Sequence, residues 1–248
     1  MRLLNALTRR LEWFRAAPPY GILSHRWGEA DDEVAFHDID KPHARSMKGY
    51  QKIEGCCTQA LHDGLRYIWI DTCCINKNSS AELSEAINSM YLWYQRSSIC
   101  YVYLDDVRSD QNPDNDHSEF SASEWFKRGW TLQELIAPDH VVFFAKDWRR
   151  IGTRHGLMHR IEKITRIDSK VLARSVVASS VAAHFSIAQR MFWAVERETT
   201  RVEDRAYSLL GLFAITTMPV IYADGANAFN QLQLEIMKRS DDQSLFAW

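Results

Sequence analysis

Three short apolar runs constrain this chain more than any other feature. Tyr67-Ile68-Trp69-Ile70, Ile99 to Leu104 and Val141-Val142-Phe143-Phe144 carry no polar alternation. A strand with one wet face alternates; a strand buried on both faces does not. A fourth candidate strand, Tyr20-Gly21-Ile22-Leu23-Ser24-His25, is entered from Pro18-Pro19 and left through Trp27-Gly28. Helical spacing fills the gaps. Tyr50, Ile53, Cys57, Ala60 and Leu61 mark one helix, stopped at Gly64. Ser79-x-x-Glu82 forms a capping box ahead of Leu83, Ile87, Met90 and Tyr94, and Pro138 ends a helix over Trp130 to Ile136. Strands separated by helices predict an α/β fold, with a mostly parallel sheet flanked by helices.

After Trp148 the pattern turns helical. Ser186-x-x-Gln189 and Thr200-x-x-Glu203 read as two further capping boxes, the second opening a helix lined by Val202, Ala206, Leu209 and Phe213. Phe229, Leu232 and Ile236 mark a last helix after Asp224-Gly225. The expected organisation is an α/β core over 1–150 and a helical extension over 151–248 packed on it. Asp110 to Ser123 reads as an exposed loop.

Composition narrows the partners. Of 248 residues, 46% are hydrophobic and 25% charged, enough to bury roughly 70–75% of the unfolded surface without disulfides or metal. Thirty basic against thirty-two acidic residues leave a net charge of −2, which removes the bulk attraction to nucleic acid or an anionic membrane. The longest apolar run, Ile99 to Leu104, falls far short of the roughly 20 residues that span a bilayer. The N-terminus breaks at Arg9, Arg10 and Glu12, so no secretory leader is expected. Cys56, Cys57, Cys73, Cys74 and Cys100 are odd in number, form two adjacent pairs and include no C-x-x-C. Adjacent cysteines rarely meet disulfide geometry. Reduced, structural thiols in a cytoplasmic setting are the expectation.

The nucleotide-loop, metalloprotease and nucleophile-elbow signatures are absent. The nine histidines are scattered, His37 and His43 being the nearest approach to a cluster, and no metal site is expected. Open α/β sheets place ligands at the carboxyl ends of their strands. Three polar clusters fall there: Ser24-His25-Arg26-Trp27, Asp71 with Asn76, and Asp105-Asp106. Cys73-Cys74 can be read as a thiolate with His25 as base, or as small core residues. On the helix that follows the long loop, Trp130 and Glu134 share a face away from the Leu132–Ile136 stripe. Pattern alone leaves Glu134 open between a solvated glutamate and a catalytic one.

The motifs carry a resemblance. Tyr20-Gly21-Ile22-Leu23-Ser24-His25-Arg26-Trp27-Gly28, Gly49-Tyr50-x-Lys52-Ile53, Tyr67 through Lys77, Ser79 through Met90 and Arg128 through Leu135 resemble, in order, the heterokaryon-incompatibility (HET) domain of filamentous fungi. The stretches Arg201 to Tyr207 and Ser240 to Trp248 look like the extension of that family. The resemblance implies a role in fungal non-self recognition and programmed cell death. It also implies distant kinship with Toll/interleukin-1 receptor (TIR) domains, whose sheet is parallel and flavodoxin-like. Many TIR domains cleave NAD with one glutamate in a tryptophan–cysteine–x–x–glutamate–leucine pattern. Trp130-Thr131-Leu132-Gln133-Glu134-Leu135 is similar, with threonine for cysteine, and Ser24-His25-Arg26 resembles the serine–phenylalanine–arginine after the first TIR strand. The stretch from Glu29 to Arg66 is not TIR-like.

On that resemblance Glu134 is expected to be catalytic, stabilising the oxocarbenium-like ribose as nicotinamide leaves. Arg26 is expected to hold the pyrophosphate, Trp27 or Trp130 to stack on a ring, and Ser24, His25, Asp71 and Asn76 to complete the substrate site. NAD is then substrate and no cofactor is required. Homo-oligomerisation on activation is expected. A chain ending on Phe246-Ala247-Trp248 suggests a longer protein with an upstream receptor or sensor. Two rival readings remain: a non-catalytic module that kills by assembly or partner binding, and a cysteine hydrolase centred on Cys74.

Overall fold

A computed structural model describes residues 1–173 and 181–246. Seven strands form one sheet: β1 (Arg2–Asn5), β2 (Leu11–Trp13), β3 (Tyr20–His25), β4 (Tyr67–Trp69), β5 (Ile99–Tyr103), β6 (Val141–Phe144) and β7 (Arg150–Thr153). Their order across the sheet is β2-β1-β4-β3-β5-β6-β7. The middle four are mutually parallel, and their register pairs Ile22 with Trp69 and with Cys100, and Val102 with Phe143. These are the three apolar runs and the fourth candidate strand that sequence predicts. Counted alone they run second, first, third, fourth, the doubly wound arrangement in which the order of strands reverses beside the first strand. That reversal falls between β3 and β5.

The sheet is mixed rather than wholly parallel. β1 pairs antiparallel with both β2 and β4, and β7 pairs antiparallel with β6. The N-terminal hairpin and β7 were not expected from sequence. Leu3 and Leu4 are fully buried, so a four-residue strand suffices to cover the edge of β4. β7 straddles the expected boundary at residue 150 and extends the sheet into the second segment.

The crossovers are helical. α1 (Tyr50–His62) connects β3 to β4 and ends before Gly64, whose φ of +76° suits a residue without Cβ. α2 (Asp71–Cys74) and α3 (Ser80–Arg96) lead from β4 to β5. Ser79 accepts from the Glu82 amide as an N-cap, yet the Glu82 carboxylate turns to the Asn76 amide (2.8 Å) and to Arg2 instead of closing the box. The long loop folds a short α4 (Glu119–Ala122), which buries Phe120. α5 (Thr131–Ile136) follows.

In the second segment, α6 (Met158–Thr165), α7 (Ser169–Leu172), α8 (Val181–His184), α9 (Ile187–Phe192), α10 (Asp204–Tyr207) and α11 (Asn227–Met237) are short. The box at Ser186 and Gln189 forms as expected. The one at Thr200 does not. Glu203 holds the N-cap position of α10 without a side-chain cap, its carboxylate accepts from the Gly225 amide at 3.2 Å, and Val202 is exposed. The second segment is sutured to the first around α5: Glu198 exchanges backbone hydrogen bonds with Lys127 (2.6 Å) and Gly129 (2.8 Å).

Candidate functional site

Successive residues of a strand point to opposite faces. The polar end of β3 is therefore divided between two layers, although in sequence Ser24 and His25 are one cluster.

On one side Ser24 is fully buried. Its hydroxyl donates to Oε2 of Glu134 at 2.5 Å and accepts from the Trp125 indole N–H at 2.9 Å. Tyr94, on α3, donates its hydroxyl to the Leu23 carbonyl at 3.1 Å and also lies in hydrogen-bonding contact with the Glu134 carboxyl. Of the two readings that pattern leaves open for Glu134, the solvated one is excluded, because every residue of α5 is buried. Glu134 itself is 7% exposed. Burial pushes its carboxyl up to about 8; the Ser24 hydrogen bond opposes this, Asp71 adds to it, and Arg128 and Tyr94 oppose it. A carboxyl of that kind is largely protonated at neutral pH and close to its switching point.

The start of α5 is held from two directions. The Thr131 hydroxyl reaches the Trp125 carbonyl at 2.6 Å. Arg197, from the second segment, donates to the Arg128 carbonyl (2.8 Å) and to Thr131 Oγ1 (2.9 Å). Its second terminal nitrogen is buried without a partner. Desolvation brings the Arg197 guanidinium down to about 9, opposed by the charge of Glu134.

On the other side His25 is buried, its Nε2 lying 4.0 Å from Glu33 and its Nδ1 4.0 Å from Asp71. Neither distance is a hydrogen bond. Burial, reinforced by Lys52, Lys77 and Arg128, holds the imidazole well below its usual pKa, so it is neutral and these contacts are not ion pairs. Asp71 Oδ2 accepts from the Trp27 indole N–H at 2.8 Å, while Oδ1 is buried and unpartnered. Burial raises the Asp71 carboxyl. Lys77 caps the exposed Trp27 ring, its ammonium 3.6 Å from the ring centroid. Lys52, on α1, donates to Glu33 and to the Arg26 carbonyl (3.2 Å).

Of the residues that sequence proposes, Ser24, His25, Trp27, Asp71 and Glu134 gather at the carboxyl ends of β3 and β4. Arg26 stands at the rim, its guanidinium 3.5 Å from Asp105. Asn76 engages its side chain in the turn before α3, accepting from the Asn78 amide at 3.2 Å. Trp130 is half-buried at the N-cap of α5 and hydrogen-bonds Asp204. Sequence reasoning overlooked Glu33, Tyr94 and Arg197. Lys52, Lys77, Trp125 and Arg128 all sit within or beside quoted motifs, but none was assigned a role. Among the described residues no group of histidine, cysteine and carboxylate side chains has the geometry to hold a metal. The five cysteines are free and buried, which places Cys73 and Cys74 in the core.

Residues 20–118 match the family described as Heterokaryon incompatibility protein (HET), and residues 227–248 match a Domain of unknown function (DUF8212). Ser24, His25 and Asp71 lie inside the first match; Trp125 and Glu134 lie beyond it. The chain is 46% identical over 226 residues to "Vegetative incompatibility protein HET-E-1" of Podospora anserina, an alignment covering 89% of this chain. It spans only 16% of that protein's length. No solved structure matches the chain. With the motifs at β3, β4 and α3 inside the family match and that relative alongside, the chain belongs to the heterokaryon incompatibility (HET) family.

Proposed function

We propose that this HET domain executes cell death in non-self recognition by cleaving the nicotinamide–ribose bond of NAD, with Glu134 as the catalytic carboxyl. The observation that carries the reading is a buried carboxyl pushed up to about 8 and held by Ser24 where the sheet order reverses. In the reaction the C1′–N bond breaks and its electron pair neutralises the pyridinium nitrogen. The ribosyl centre becomes cationic, water attacks it, and the proton passes to the Glu134 carboxylate. A cation arriving beside Glu134 favours the ionised form, so substrate itself switches the carboxyl on. Arg26 meets the pyrophosphate and Trp27 offers a stacking face. Ser24, fully buried, supports Glu134 instead of touching substrate. At 7% exposure, Glu134 is reached only when neighbouring side chains move aside. No helix among the described residues is long and apolar enough to cross a membrane. Self-association on activation, under a sensor elsewhere in a longer protein, is part of the proposal.

The test is nicotinamide release from NAD by purified protein at low and high concentration. Glu134→Gln should lose about 10²–10³ in turnover with the fold intact, the loss typical of a missing transition-state charge partner. Arg26→Ala should raise KM more than it lowers kcat. In wild type, kcat/KM should rise with pH through about 8, because the free protein must ionise Glu134. Flat pH dependence together with an active Glu134→Gln variant defeats the assignment. The enclosure of Glu134 favours one competing reading, a module that kills by assembly, in which this carboxyl serves the fold alone. Full killing by a folded Glu134→Gln variant would select it.

A further inference from the structure

We infer that Trp125 is a positioning residue for Glu134, acting through Ser24: its indole N–H fixes the Ser24 hydroxyl so that its proton is directed to the carboxylate. The importance of this relay for catalysis rests on the reading above; its existence does not. Trp125 is 1% exposed and its indole nitrogen can only donate, so it needs a buried acceptor. It finds one in Ser24 Oγ, at 2.9 Å, and Ser24 Oγ lies 2.5 Å from Glu134 Oε2. A serine hydroxyl has one proton and two lone pairs. With one lone pair occupied by Trp125, the hydroxyl is anchored and its O–H polarised, which makes it a better donor to an anion and a poorer acceptor from an acid. The relay therefore favours the ionised form of Glu134 against the burial that opposes it.

The arrangement is built, not incidental. Ser123 caps the turn over Glu124–Lys127 that carries Trp125, and Asp106 accepts from the Ser123 hydroxyl at 2.8 Å. The indole is packed edge-on against Phe126 and Phe143, with ring centroids 5.1 and 5.8 Å away. Other ionisable groups also face Glu134: Asp71 from α2, Tyr94 from α3, Cys100 from β5, Arg128 before α5, and Arg197 from the second segment. None of them touches Trp125 through Ser24, which lets the relay be separated from the general field.

The experiment is a carbon-13 titration of the Glu134 side-chain carboxyl without NAD, assigned by its loss in Glu134→Gln. Trp125→Phe keeps the aromatic packing and removes the N–H. It should raise the Glu134 midpoint by about half a unit to one unit, the scale of one modest hydrogen-bond contribution. Ser24→Ala should raise it as well, and adding Trp125→Phe to Ser24→Ala should change nothing further. An unmoved midpoint in Trp125→Phe, or an equal rise in the Ser24→Ala background, overturns the inference. Should Trp125→Phe fail to fold, the indole N–H resonance of Trp125 in the wild type decides. It should titrate with Glu134 and cease to do so in Ser24→Ala; a resonance unchanged across the titration overturns the relay. If the midpoints shift as expected while no variant or wild type releases nicotinamide, the NAD reading fails and the relay stands. If nicotinamide is released while the midpoint is immobile, the reverse holds.

Discussion

Ser24 and Glu134 are 110 residues apart in sequence and share a buried hydrogen bond of 2.5 Å. One is the penultimate residue of β3, the first strand of the parallel set. The other sits on α5, in the crossover that leads to the last strand of that set. The bond ties this last crossover to β3, the strand beside which the sheet order reverses, and holds the carboxyl at the strand ends. A buried carboxyl is costly there. On the proposed reading, stability and chemistry depend on the same proton.

Stability should therefore fall as the pH rises through the neutral range. The Glu134 carboxyl is raised from an ordinary 4.5 to about 8, so the folded chain holds its proton more tightly than the unfolded chain. That contribution is complete below pH 4.5 and is lost as pH climbs to about 8. Glu134→Gln mimics the protonated form at every pH. At pH 9 it should be more stable than wild type by on the order of 2–5 kcal/mol, with the difference vanishing near pH 4. Denaturant unfolding at pH 4, 6.5 and 9 measures this. A variant less stable than wild type at pH 9 would show that the carboxylate is welcome in the fold.

His25 should act with the opposite sign on the acid side. Its imidazole is held well below the usual 6.5 by burial and by Lys52, Lys77 and Arg128, with Glu33 and Asp71 at 4.0 Å on either side. The stability it contributes is present above pH 6.5 and lost as the pH falls below it, when the unfolded chain takes up a proton that the folded chain refuses. His25→Gln should flatten the decline in thermal midpoint below pH 6.5. An imidazole seen by proton NMR to titrate at its ordinary pKa in the folded protein contradicts this.

The parallel strands were legible because both faces are covered, which leaves apolar runs that no other element of this length requires. The edge strands were not. Arg2-Leu3-Leu4-Asn5 is one turn of pattern, and its strand character comes from pairing with β4, which sequence does not display. At the site, the rule that ligands gather at strand ends located Ser24, His25 and Asp71. Trp125 was hidden because it stands among Ser123, Glu124, Lys127 and Arg128, and its burial comes from packing that the sequence does not display. Arg197 left no trace, since its place depends on Glu198 pairing with Lys127 and Gly129. Pattern leaves Glu134 open between solvent and site because its cover, Ser24 and Tyr94, comes from β3 and α3, far away in sequence.

The cysteines should be chemically silent in the native protein. All five are buried and free, with burial pushing Cys57 up to about 12 and Cys56 and Cys100 well above the usual thiol value. Reaction needs the thiolate and access to it. A chromogenic disulfide reagent at pH 8 should label no thiol natively and all five in guanidinium. Rapid native labelling of one, mapped to Cys74, would reopen the cysteine-hydrolase reading.

The last prediction concerns how the second segment holds the first. The turn Gly211–Phe213 packs on α3 so closely that a Cβ placed at Gly211 would lie 2.0 Å from Cβ of Tyr91. That neighbour is anchored at the backbone of α3 and cannot swing away as a side-chain tip would. Gly211→Ala must therefore move the turn or the helix, and overpacking of this kind commonly costs about 1–3 kcal/mol. Three residues beyond Tyr91, Tyr94 contacts Glu134 and anchors to the Leu23 carbonyl. A displaced α3 should loosen that contact, so Gly211→Ala should lower the thermal midpoint and also alter the Glu134 titration, although it touches no site residue. Gly55→Ala supplies the control. Its Cβ would lie 2.0 Å from the Trp148 indole, a comparable clash against a side chain from the turn between β6 and β7. It should destabilise without moving the Glu134 midpoint. If both variants shift the Glu134 midpoint equally, the effect is general loosening and α3 is not the route by which the second segment reaches the carboxyl. If Gly211→Ala leaves stability unchanged, the close approach of the turn to α3 does not exist in solution.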